Sequence, residues 1–348
     1  MQAIVLVGGE GTRLRPLTNT VPKPALTLVD RPFLAYMIEW LAGHGVSEVV
    51  LACGFLPDVL REALAGEEER VGVAIRYVVE PERRGTAGAI RFAADALGED
   101  LDERFLALNG DVLTDLDLTA LLNAHAKNKA SAVGFPQITG KTNSGTENGG
   151  VAATIALHPV DDSSAYGLVR TGDGDEVLEF TEKTGEAVPG EVNAGMYVLE
   201  RSVLDLIAPG EDVSIEREVF PRLVGEGLNG LRLNGYWMDI GTPERYLRAS
   251  WDILEGRVRT EVEPTGPGLH VAAGASVSAA ASIGPRAVVG PGCTVGAGAE
   301  IRDSVLLEGC AIGDGARVTG SILAPGVAVA PGAELEGAVV GRDERVSA

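Results

Sequence analysis

The sequence has few cysteines and histidines and lacks long apolar runs. Its three cysteines lie far apart and form no Cys-x-x-Cys pair, so neither a disulfide framework nor a cysteine zinc site is predicted. We expect Cys53, Cys293 and Cys310 to be buried apolar residues. The four histidines are scattered, so no histidine metal site or nucleophile pair is visible. No apolar run reaches membrane-spanning length and no cationic leader precedes an apolar segment, so we expect a cytoplasmic enzyme that does not bind membranes.

Positive charge is also scarce. The sequence has 29 Lys and Arg against 50 Asp and Glu, a formal net charge of -21 at pH 7. This excess of negative charge repels nucleic acid and acidic membranes. A nucleotide remains compatible, because a small anion responds to the local field. The basic residues near the motifs described below are Arg13, Arg15, Lys23, Arg83, Arg84 and Lys183.

The most informative motif is a glycine-rich segment that follows an apolar run at residues 3–7. Residues 7–18 read Val-Gly-Gly-Glu-Gly-Thr-Arg-Leu-Arg-Pro-Leu-Thr, and residues 22–24 read Pro-Lys-Pro. The apolar run predicts a buried strand, and glycines without Cβ let backbone N–H groups approach a phosphate. Arg13, Arg15 and Lys23 supply positive charge there. The spacing fits neither the Walker motif nor the dinucleotide fingerprint, so we predict a nucleoside triphosphate site of another kind.

The first part of the chain alternates between strand and helix patterns. Strands are predicted at residues 3–7, 48–53, 73–79 and 104–108, and helices at 33–42, 57–65, 86–96 and 118–127. Such alternation indicates an α/β fold with a mostly parallel sheet covered on both faces. Ligands bind such sheets beyond the carboxyl ends of the strands. The glycine-rich segment and residues 109–111 both follow predicted strands, so we expect them to converge on one crevice.

The C-terminal part carries a different, shorter repeat. Apolar residues recur every six positions, then slip by one and resume. They are Val271, Val277, Ile283, Val289, Val295, Ile301 and Leu307, then Ile312 and Val318, then Leu323, Val329 and Leu335. A hexapeptide repeat with small turn residues predicts a left-handed parallel β-helix of about four coils. The predicted domains are therefore residues 1–260 and 265–348.

Seven further segments carry a resemblance to the motifs of a known family, in the same order along the chain. They are Gly-Thr-Ala-Gly at 85–88, Leu-Asn-Gly-Asp at 108–111, Tyr-Gly at 166–167, Phe-Thr-Glu-Lys at 180–183, Asn-Ala-Gly at 193–195, Ser-Ile-Glu-Arg at 214–217 and Trp-Met-Asp-Ile-Gly-Thr-Pro at 237–243. With the glycine-rich segment, they resemble the sugar-1-phosphate nucleotidylyltransferases, and most closely the mannose-1-phosphate guanylyltransferase branch. The resemblance covers essentially the whole chain. It implies a Rossmann-like nucleotidyltransferase domain with a mixed, mostly parallel sheet, followed by the β-helix.

The implied reaction joins GTP and mannose 1-phosphate to give GDP-mannose and pyrophosphate. The sugar phosphate is already an anion at neutral pH, so it can attack the α-phosphorus in line without a general base. The reaction requires neutralisation of two polyanions by Arg, Lys and a divalent metal. By resemblance, Asp111 and Asp239 hold Mg²⁺, and hard oxygen ligands suit that ion. On spacing alone, Asp239 could equally be a turn residue that caps the next helix.

The resemblance also implies roles for the remaining motif residues. Arg13 would bind the β and γ phosphates, and Lys23 would bridge the sugar phosphate and the α-phosphate. The nucleotide-binding set is Gly8, Gly9, Gly11, Thr12, Arg13, Glu80, Gly85 and Thr86. The sugar-phosphate set is Lys23, Gly167, Glu182, Lys183, Asn193 and Gly195.

Two of these assignments have simpler alternatives. A carboxylate at Glu80 can accept hydrogen bonds from N1–H and N2–H₂ of guanine, but Glu80 could instead end a strand in solvent. Glu182 and Lys183 could be an exposed pair on a solvated surface.

A segment at residues 129–150 departs from the family pattern. It is rich in Gly, Asn, Thr and Ser and separates a predicted helix from a predicted strand that are close together in relatives. It is interpreted either as a mobile surface excursion or as a lid from which Lys141 reaches a phosphate.

Other functions share this sequence pattern. One alternative is a glucose-1-phosphate uridylyl-, thymidylyl- or adenylyltransferase. Another is a catalytically silent regulatory subunit that binds a sugar nucleotide, although Arg13, Lys23, Asp111 and Asp239 are all present. An acyltransferase solenoid would need a catalytic histidine deep in the helix, whereas His270 lies in the first coil. We expect the β-helix to mediate homo-oligomerisation instead.

Overall fold

Apolar runs near the N-terminus form the centre of a mixed sheet. The computed structural model describes residues 1–131, 150–181 and 185–348. The strands of the N-terminal part are β1 (Gln2–Leu6), β2 (Glu48–Cys53), β3 (Ala74–Val79), β4 (Arg104–Asn109), β5 (Val112–Thr114), β6 (Ala153–Val160), β7 (Leu168–Thr171), β8 (Val177–Thr181), β9 (Gly190–Glu200), β10 (Leu228–Arg232) and β11 (Trp237–Asp239). The main sheet has the order β10-β6-β9-β4-β1-β2-β3, with β7 and β8 attached beside β9. β5 and β11 pair separately as an antiparallel ribbon.

The strands that were predicted from the sequence form the parallel half of this sheet. β1 pairs in parallel with β2 and with β4, and β2 pairs in parallel with β3. β9 runs antiparallel to both β4 and β6, which makes the sheet mixed. The predicted Rossmann-like architecture is therefore confirmed.

Helices cover both faces of the sheet. They are α1 (Phe33–Gly43), α2 (Pro57–Ala63), α3 (Glu67–Val71), α4 (Gly85–Leu97), α5 (Leu118–Ser131), α6 (Phe220–Leu223) and α7 (Pro243–Leu254). Successive residues of β1 enter opposite cores: Ala3 and Val5 pack with residues of α1, whereas Ile4 packs with residues of α4. This alternation is the period-two pattern of a strand that is buried on both faces. Because β1 and β4 pair in parallel, their carboxyl ends lie at one edge of the sheet.

The C-terminal part is a parallel β-helix. Its strands are β12 (Leu269–Val271), β13 (Ser276–Val277), β14 (Ser282–Ile283), β15 (Ala287–Val289), β16 (Thr294–Val295), β17 (Glu300–Arg302), β18 (Val305–Leu306), β19 (Ala311–Ile312), β20 (Arg317–Thr319), β21 (Ile322–Leu323), β22 (Ala328–Val329), β23 (Glu334–Glu336), β24 (Val339–Val340) and β25 (Arg345–Val346). They stack as parallel ladders on separate faces. The predicted β-helix is confirmed, and its left hand stays a prediction.

The register slip in the repeat occurs one residue earlier than predicted. Val289 pairs with Leu306, and Leu306 pairs with Leu323. Leu306 therefore holds the ladder position that the hexad pattern gave to Leu307. Leu306 lies in the core of the solenoid, whereas Leu307 packs in a cluster outside it. Periodicity alone cannot show which of two adjacent leucines occupies the ladder position.

One face of the solenoid packs against the N-terminal part through an apolar cluster, which we call the junction cluster. Its contributions from the N-terminal part include Leu14, Leu17, Leu28, Phe33, Leu113, Ile240, Tyr246 and Ile253. Its contributions from the solenoid are Val288, Val305, Leu307, Ile322 and Ala324. The two parts of the chain therefore share a buried core.

The expectation that the three cysteines are buried is confirmed. Cys53, Cys293 and Cys310 are buried and none forms a disulfide. Cys293 and Cys310 occupy adjacent coils. The Cys293 thiol donates to the Leu307 carbonyl oxygen at 3.0 Å, and the Cys310 thiol donates to the Ala324 carbonyl oxygen at 3.3 Å. Within the described ranges, every helix is too short or too polar to cross a membrane.

Candidate active site

The glycine-rich segment folds into a tight loop after β1. Gly11 has φ +62°, and a Cβ there would lie 3.1 Å from both the Lys23 Cβ and the Thr18 Cγ2. The Thr18 hydroxyl donates a 2.9 Å hydrogen bond to the Gly11 carbonyl oxygen. Glycine is therefore required at this position, both for its left-handed backbone and for the close approach. The loop folds back on Lys23.

The ribbon of β5 and β11 brings the two predicted metal ligands together. Asp239 ends β11 opposite Val112, and the Ile240 N–H donates a 2.9 Å hydrogen bond to the Asp111 carbonyl oxygen. The Lys23 ammonium lies between the two carboxylates, 3.0 Å from Asp111 Oδ2 and 3.8 Å from Asp239 Oδ1. Lys23 is buried, with 8% of its surface exposed. Three residues from distant parts of the sequence thus form one charged cluster.

The electrostatics of Asp239 favour a further cation. Its Oδ1 atom is buried and has no hydrogen-bond partner in the described part of the chain. Burial and the neighbouring charge of Asp111 raise the pKa of Asp239. A buried carboxylate with an unused oxygen next to a second carboxylate fits a divalent metal such as Mg²⁺. Among residues 1–131, 150–181 and 185–348, no His, Cys, Asp or Glu group of three or more is arranged to hold a metal, so water or substrate oxygens would complete the shell.

Two arginines complete the cationic side of the cluster. A Cβ on Gly241 would lie 2.6 Å from Arg13 Nη2, so the Arg13 guanidinium lies directly against the Gly241 backbone. Arg245 Nη1 is 3.0 Å from Asp239 Oδ2, and its guanidinium lies 5.5 Å from the centre of the Tyr166 ring. Arg245 was not predicted from the sequence. The available signal was Thr242, whose hydroxyl caps α7 by accepting from the Arg245 N–H and so fixes the first turn.

Glu80 lies beside the glycine-rich loop. A Cβ on Gly8 would be 3.5 Å from Glu80 Oε1, and the Glu80 N–H donates to the Cys53 carbonyl oxygen at 2.8 Å. Burial raises the pKa of Glu80, and the charge of Arg84 opposes this. Glu80 is thus partly buried at the edge where β1 and β3 end. This partial burial does not fit the alternative that Glu80 ends a strand in solvent.

The predicted Gly85 and Thr86 begin α4, but the Thr86 side chain has a structural role. The Thr86 hydroxyl donates to Glu216 Oε2 at 2.7 Å and accepts from the Ile215 N–H at 2.9 Å. Ser214 also donates to Glu216 Oε2, at 2.9 Å. Glu216 was not predicted as a site residue, although it lies in the Ser-Ile-Glu-Arg segment. The hydroxyl of Thr86 fixes the start of α4, which leaves its backbone as the group available to a ligand.

Three of the predicted sugar-site residues, Gly167, Asn193 and Gly195, lie together at a bend in β9. The Asn193 N–H donates to the Gly167 carbonyl oxygen at 3.0 Å, and Asn193 Oδ1 accepts from the Gly195 N–H at 2.9 Å. The Trp237 indole N–H donates to the Ala194 carbonyl oxygen at 2.9 Å, two residues before Asp239. The bend is therefore attached to the ribbon that carries Asp239.

A hydrogen-bond chain joins the sugar-site bend to the start of α4. Asn193 Nδ2 donates to the Tyr197 hydroxyl at 2.9 Å, and that hydroxyl donates to Glu216 Oε1 at 3.4 Å. Glu216 in turn accepts from Thr86. Glu182, Lys183 and residues 132–149, which include Lys141, lie outside the described residues.

Family comparisons match both parts of the chain. The nucleotidyl transferase family matches residues 2–149 and 135–256, and the GMPPB C-terminal domain family matches residues 266–348. Mannose-1-phosphate guanylyltransferase of Mycobacterium tuberculosis is 39% identical over 259 residues, which cover 74% of this chain and 65% of the relative. Mannose-1-phosphate guanyltransferase of Yarrowia lipolytica is 39% identical over 249 residues, which cover 71% of this chain and 62% of the relative. The chain thus spans slightly less than two thirds of the length of these curated relatives.

A solved structure has a similar fold. HddC from Yersinia pseudotuberculosis superposes with a TM-score of 0.58 at 25% sequence identity, covering 72% of this chain and 99% of HddC. A second structure of HddC, complexed with GMP-PN, superposes with a TM-score of 0.57.

Proposed function

Because this chain belongs to the nucleotidyl transferase family, we propose that it transfers a guanylyl group from GTP to mannose 1-phosphate. The products are GDP-mannose and pyrophosphate. The observation that carries the proposal is the cluster in which Lys23, Arg13 and Arg245 surround Asp111 and Asp239 at the carboxyl edge of the sheet. The choice of base and sugar is supported by the names of the curated relatives.

The chemistry needs charge neutralisation more than proton transfer. The attacking phosphate oxygen of the sugar phosphate is already anionic, and it displaces pyrophosphate from the α-phosphorus in line. Lys23, which lies between two carboxylates, would contact the attacking phosphate and the α-phosphate. Arg13, on the exposed side of the loop, stabilises charge on the leaving pyrophosphate. These contacts are worth most in the transition state, where negative charge is redistributed.

Asp111 and Asp239 are the residues that would hold Mg²⁺. The fit is supported by the unpartnered Oδ1 of Asp239 and by the repulsion between the two carboxylates. When bound, the ion supplies neutralisation of the triphosphate oxygens. Arg245 orients Asp239 by binding its other carboxylate oxygen. The Oδ1 oxygen of Asp239, which makes no hydrogen bond to the described residues, is thereby left for the ion.

Different residues around this cluster would select the sugar and the base. Gly167, Asn193 and Gly195 form the bend that would contact the sugar, together with Glu182 and Lys183. Glu80, beside Gly8, would accept hydrogen bonds from the Watson–Crick edge of guanine. Thymine and uracil lack the paired N1–H and N2–H₂ donors, so a carboxylate there favours guanine.

We also propose that the protein acts in the cytoplasm as a homo-oligomer. Three reduced, buried thiols suit a reducing compartment. The first coil of the solenoid has no coil before it, and its Val277 is 37% exposed. Such an open end favours contact with a second copy. Light scattering on the purified protein measures the copy number.

The proposal is tested by pyrophosphate release in the presence of Mg²⁺. GTP, UTP, dTTP, ATP and CTP are each combined with mannose 1-phosphate and with glucose 1-phosphate. We expect the highest kcat/KM for GTP with mannose 1-phosphate. We expect Asp239→Asn to lower kcat by about 100-fold, because it removes a ligand that acts on the transition-state charge. The matched control is Asp58→Asn, whose side chain is 88% exposed in α2. A maximum with another pair would reassign the substrates, and no turnover by folded protein would contradict the proposal.

The role of Glu80 has a separate test. We expect Glu80→Gln to lower kcat/KM for GTP by about 10- to 100-fold, because an amide cannot accept from both guanine donors. Turnover with UTP should change little. The control is Glu82→Gln, whose side chain is 70% exposed two residues away. Equal losses for GTP and UTP would show that Glu80 does not select the base.

A further inference from the structure

The solenoid lies directly beneath the catalytic loops. Leu14 and Leu17 of the glycine-rich loop are both buried in the junction cluster, where they share a core with Val305 and Ile322 of the solenoid. Leu113 and Ile240, which flank the two metal-site aspartates along the chain, enter the same cluster. The phosphate loop and the metal-site ribbon therefore rest on one face of the β-helix.

The last coil of the solenoid also approaches the same loop. Gly341 follows β24 and is buried. A Cβ at Gly341 would lie 3.4 Å from the Pro16 Cβ and would also meet the carboxylate of Glu344. The backbone of Gly341 is not left-handed, so space and not φ limits the side chain there. Alanine fits once the Glu344 side chain moves, whereas a larger side chain has to displace the surrounding atoms, those of Pro16 among them.

The backbone of the loop supplies little external support of its own. The Leu14 N–H donates to the Gly11 carbonyl oxygen at 2.9 Å, and the Asn19 N–H donates to the Pro16 carbonyl oxygen at 3.2 Å. The Thr18 hydroxyl also bonds within the loop, to Gly11. These bonds fix the shape of the loop but not its position. Position depends on the side chains that pack below it.

We infer that the last coil of the solenoid, through Gly341, is a positioning element for Pro16 and thus for the phosphate-binding arginine at position 13. This role rests on the proposed function of the loop. It makes the β-helix part of the active-site structure in addition to any role in assembly. Because coupling between two elements is reciprocal, a ligand that orders the loop also orders the last coil.

The first test measures hydrogen exchange in the full-length free protein and needs no substrate. Gly341→Leu should increase exchange at least severalfold in peptides that cover residues 11–19, because the leucine displaces Pro16. Gly341→Ala should change it little. The matched control is Gly266→Leu, since Gly266 also has an ordinary backbone and a Cβ there would make only van der Waals contact with Leu269, at 3.7 Å. Unchanged exchange at residues 11–19 in Gly341→Leu would overturn the inference.

Steady-state kinetics distinguish positioning from loss of fold. We expect Gly341→Leu to lower kcat about tenfold and to raise KM for the triphosphate, while KM for the sugar phosphate changes less than about twofold. Wild-type protein with GTP and Mg²⁺ should show slower exchange at residues 339–346. If Gly341→Leu does not fold, this wild-type measurement tests the inference instead. Slower exchange at residues 339–346 with GTP and Mg²⁺ would support the coupling, and unchanged exchange would overturn it. If wild type neither binds nor turns over any triphosphate, the proposed function fails, and the free-protein exchange still decides the coupling.

Discussion

At the residue scale, the Arg13 guanidinium packs closely against the Gly241 backbone. The guanidinium lies where a side chain at position 241 would begin. We expect Gly241→Ala to lower kcat about 10- to 100-fold, because a shift of about 1 Å in a charge-stabilising group has an effect of this size. The melting temperature should change little, because the Arg13 side chain is exposed and contributes little to the core. Kinetics and thermal unfolding of Gly241→Ala, with Gly266→Ala as control, measure both effects, and an unchanged kcat would show that Arg13 does not act from this position.

Residues within a continuous motif were predictable, whereas residues that act through a tertiary contact were not. Lys23, Asp111 and Asp239 each lie in a recognisable segment, and the structure brings them together. Arg245 and Glu216 occupy positions where a surface helix often has a charge. Their significance comes from Asp239 and Thr86, which are more than five residues away or on another element. No periodicity or spacing reports such pairs.

At the scale of elements, α5 is joined to β9 by a buried charged cluster. Glu200 of β9 accepts from Arg104 at 2.6 Å, from His125 at 2.9 Å and from Lys129 at 2.6 Å. Burial opposes ionisation of Glu200, but hydrogen bonds from Lys129, His125 and Arg104 outweigh it and hold its pKa at about 2. Burial also lowers the pKa of His125, which is therefore neutral in the folded protein at pH 7. The cluster fixes the helix that precedes residues 132–149.

This cluster gives a pH-dependent prediction. We expect Glu200→Gln to lower the free energy of unfolding at pH 7 by about 3 kcal/mol, because Arg104 and Lys129 lose a buried partner. The folded pKa of Glu200 lies below its ordinary value of 4.5, so its stabilisation is complete above that pH and is lost as pH falls toward about 2. The difference between variant and wild type should therefore shrink below pH 4.5. Denaturant unfolding across pH 7 to 3 tests this, with Glu103→Gln, 88% exposed, as control. A pH-independent difference would contradict the assignment.

Helices and strands were predicted correctly where they depend on a local hydrophobic pattern in the sequence. β2 spans the predicted residues, α1 is longer than predicted by one residue at its C-terminal end, and α4 is longer by one residue at each end. α3 was missed because Glu67–Val71 is short and largely charged, and so has no apolar stripe. The antiparallel pairing of β9 with β4 and β6 depends on contacts between distant segments. A local sequence pattern cannot predict such pairing.

At the scale of the whole molecule, the junction cluster makes one cooperative unit of two structurally different parts. A buried core that is shared across a boundary couples the unfolding of both sides. The cluster contains residues from the loop, the ribbon, α7 and the solenoid. We therefore expect wild-type protein to unfold in one calorimetric transition, although its sheet and its β-helix each have a core of their own.

Matched substitutions on the two sides of the solenoid wall test this cooperativity. Val305 and Ile322 enter the junction cluster, whereas Ile301 and Val318 lie inside the solenoid, and all four are fully buried. Replacing either pair by alanine removes the same atoms, at a cost of about 3 kcal/mol or more. We expect the junction pair to split the transition in two and to lower kcat, because it weakens both the coupling and the support of the phosphate loop. The internal pair should lower the melting temperature and keep one transition. The same thermogram for both pairs would mean that the shared core does not couple the two parts.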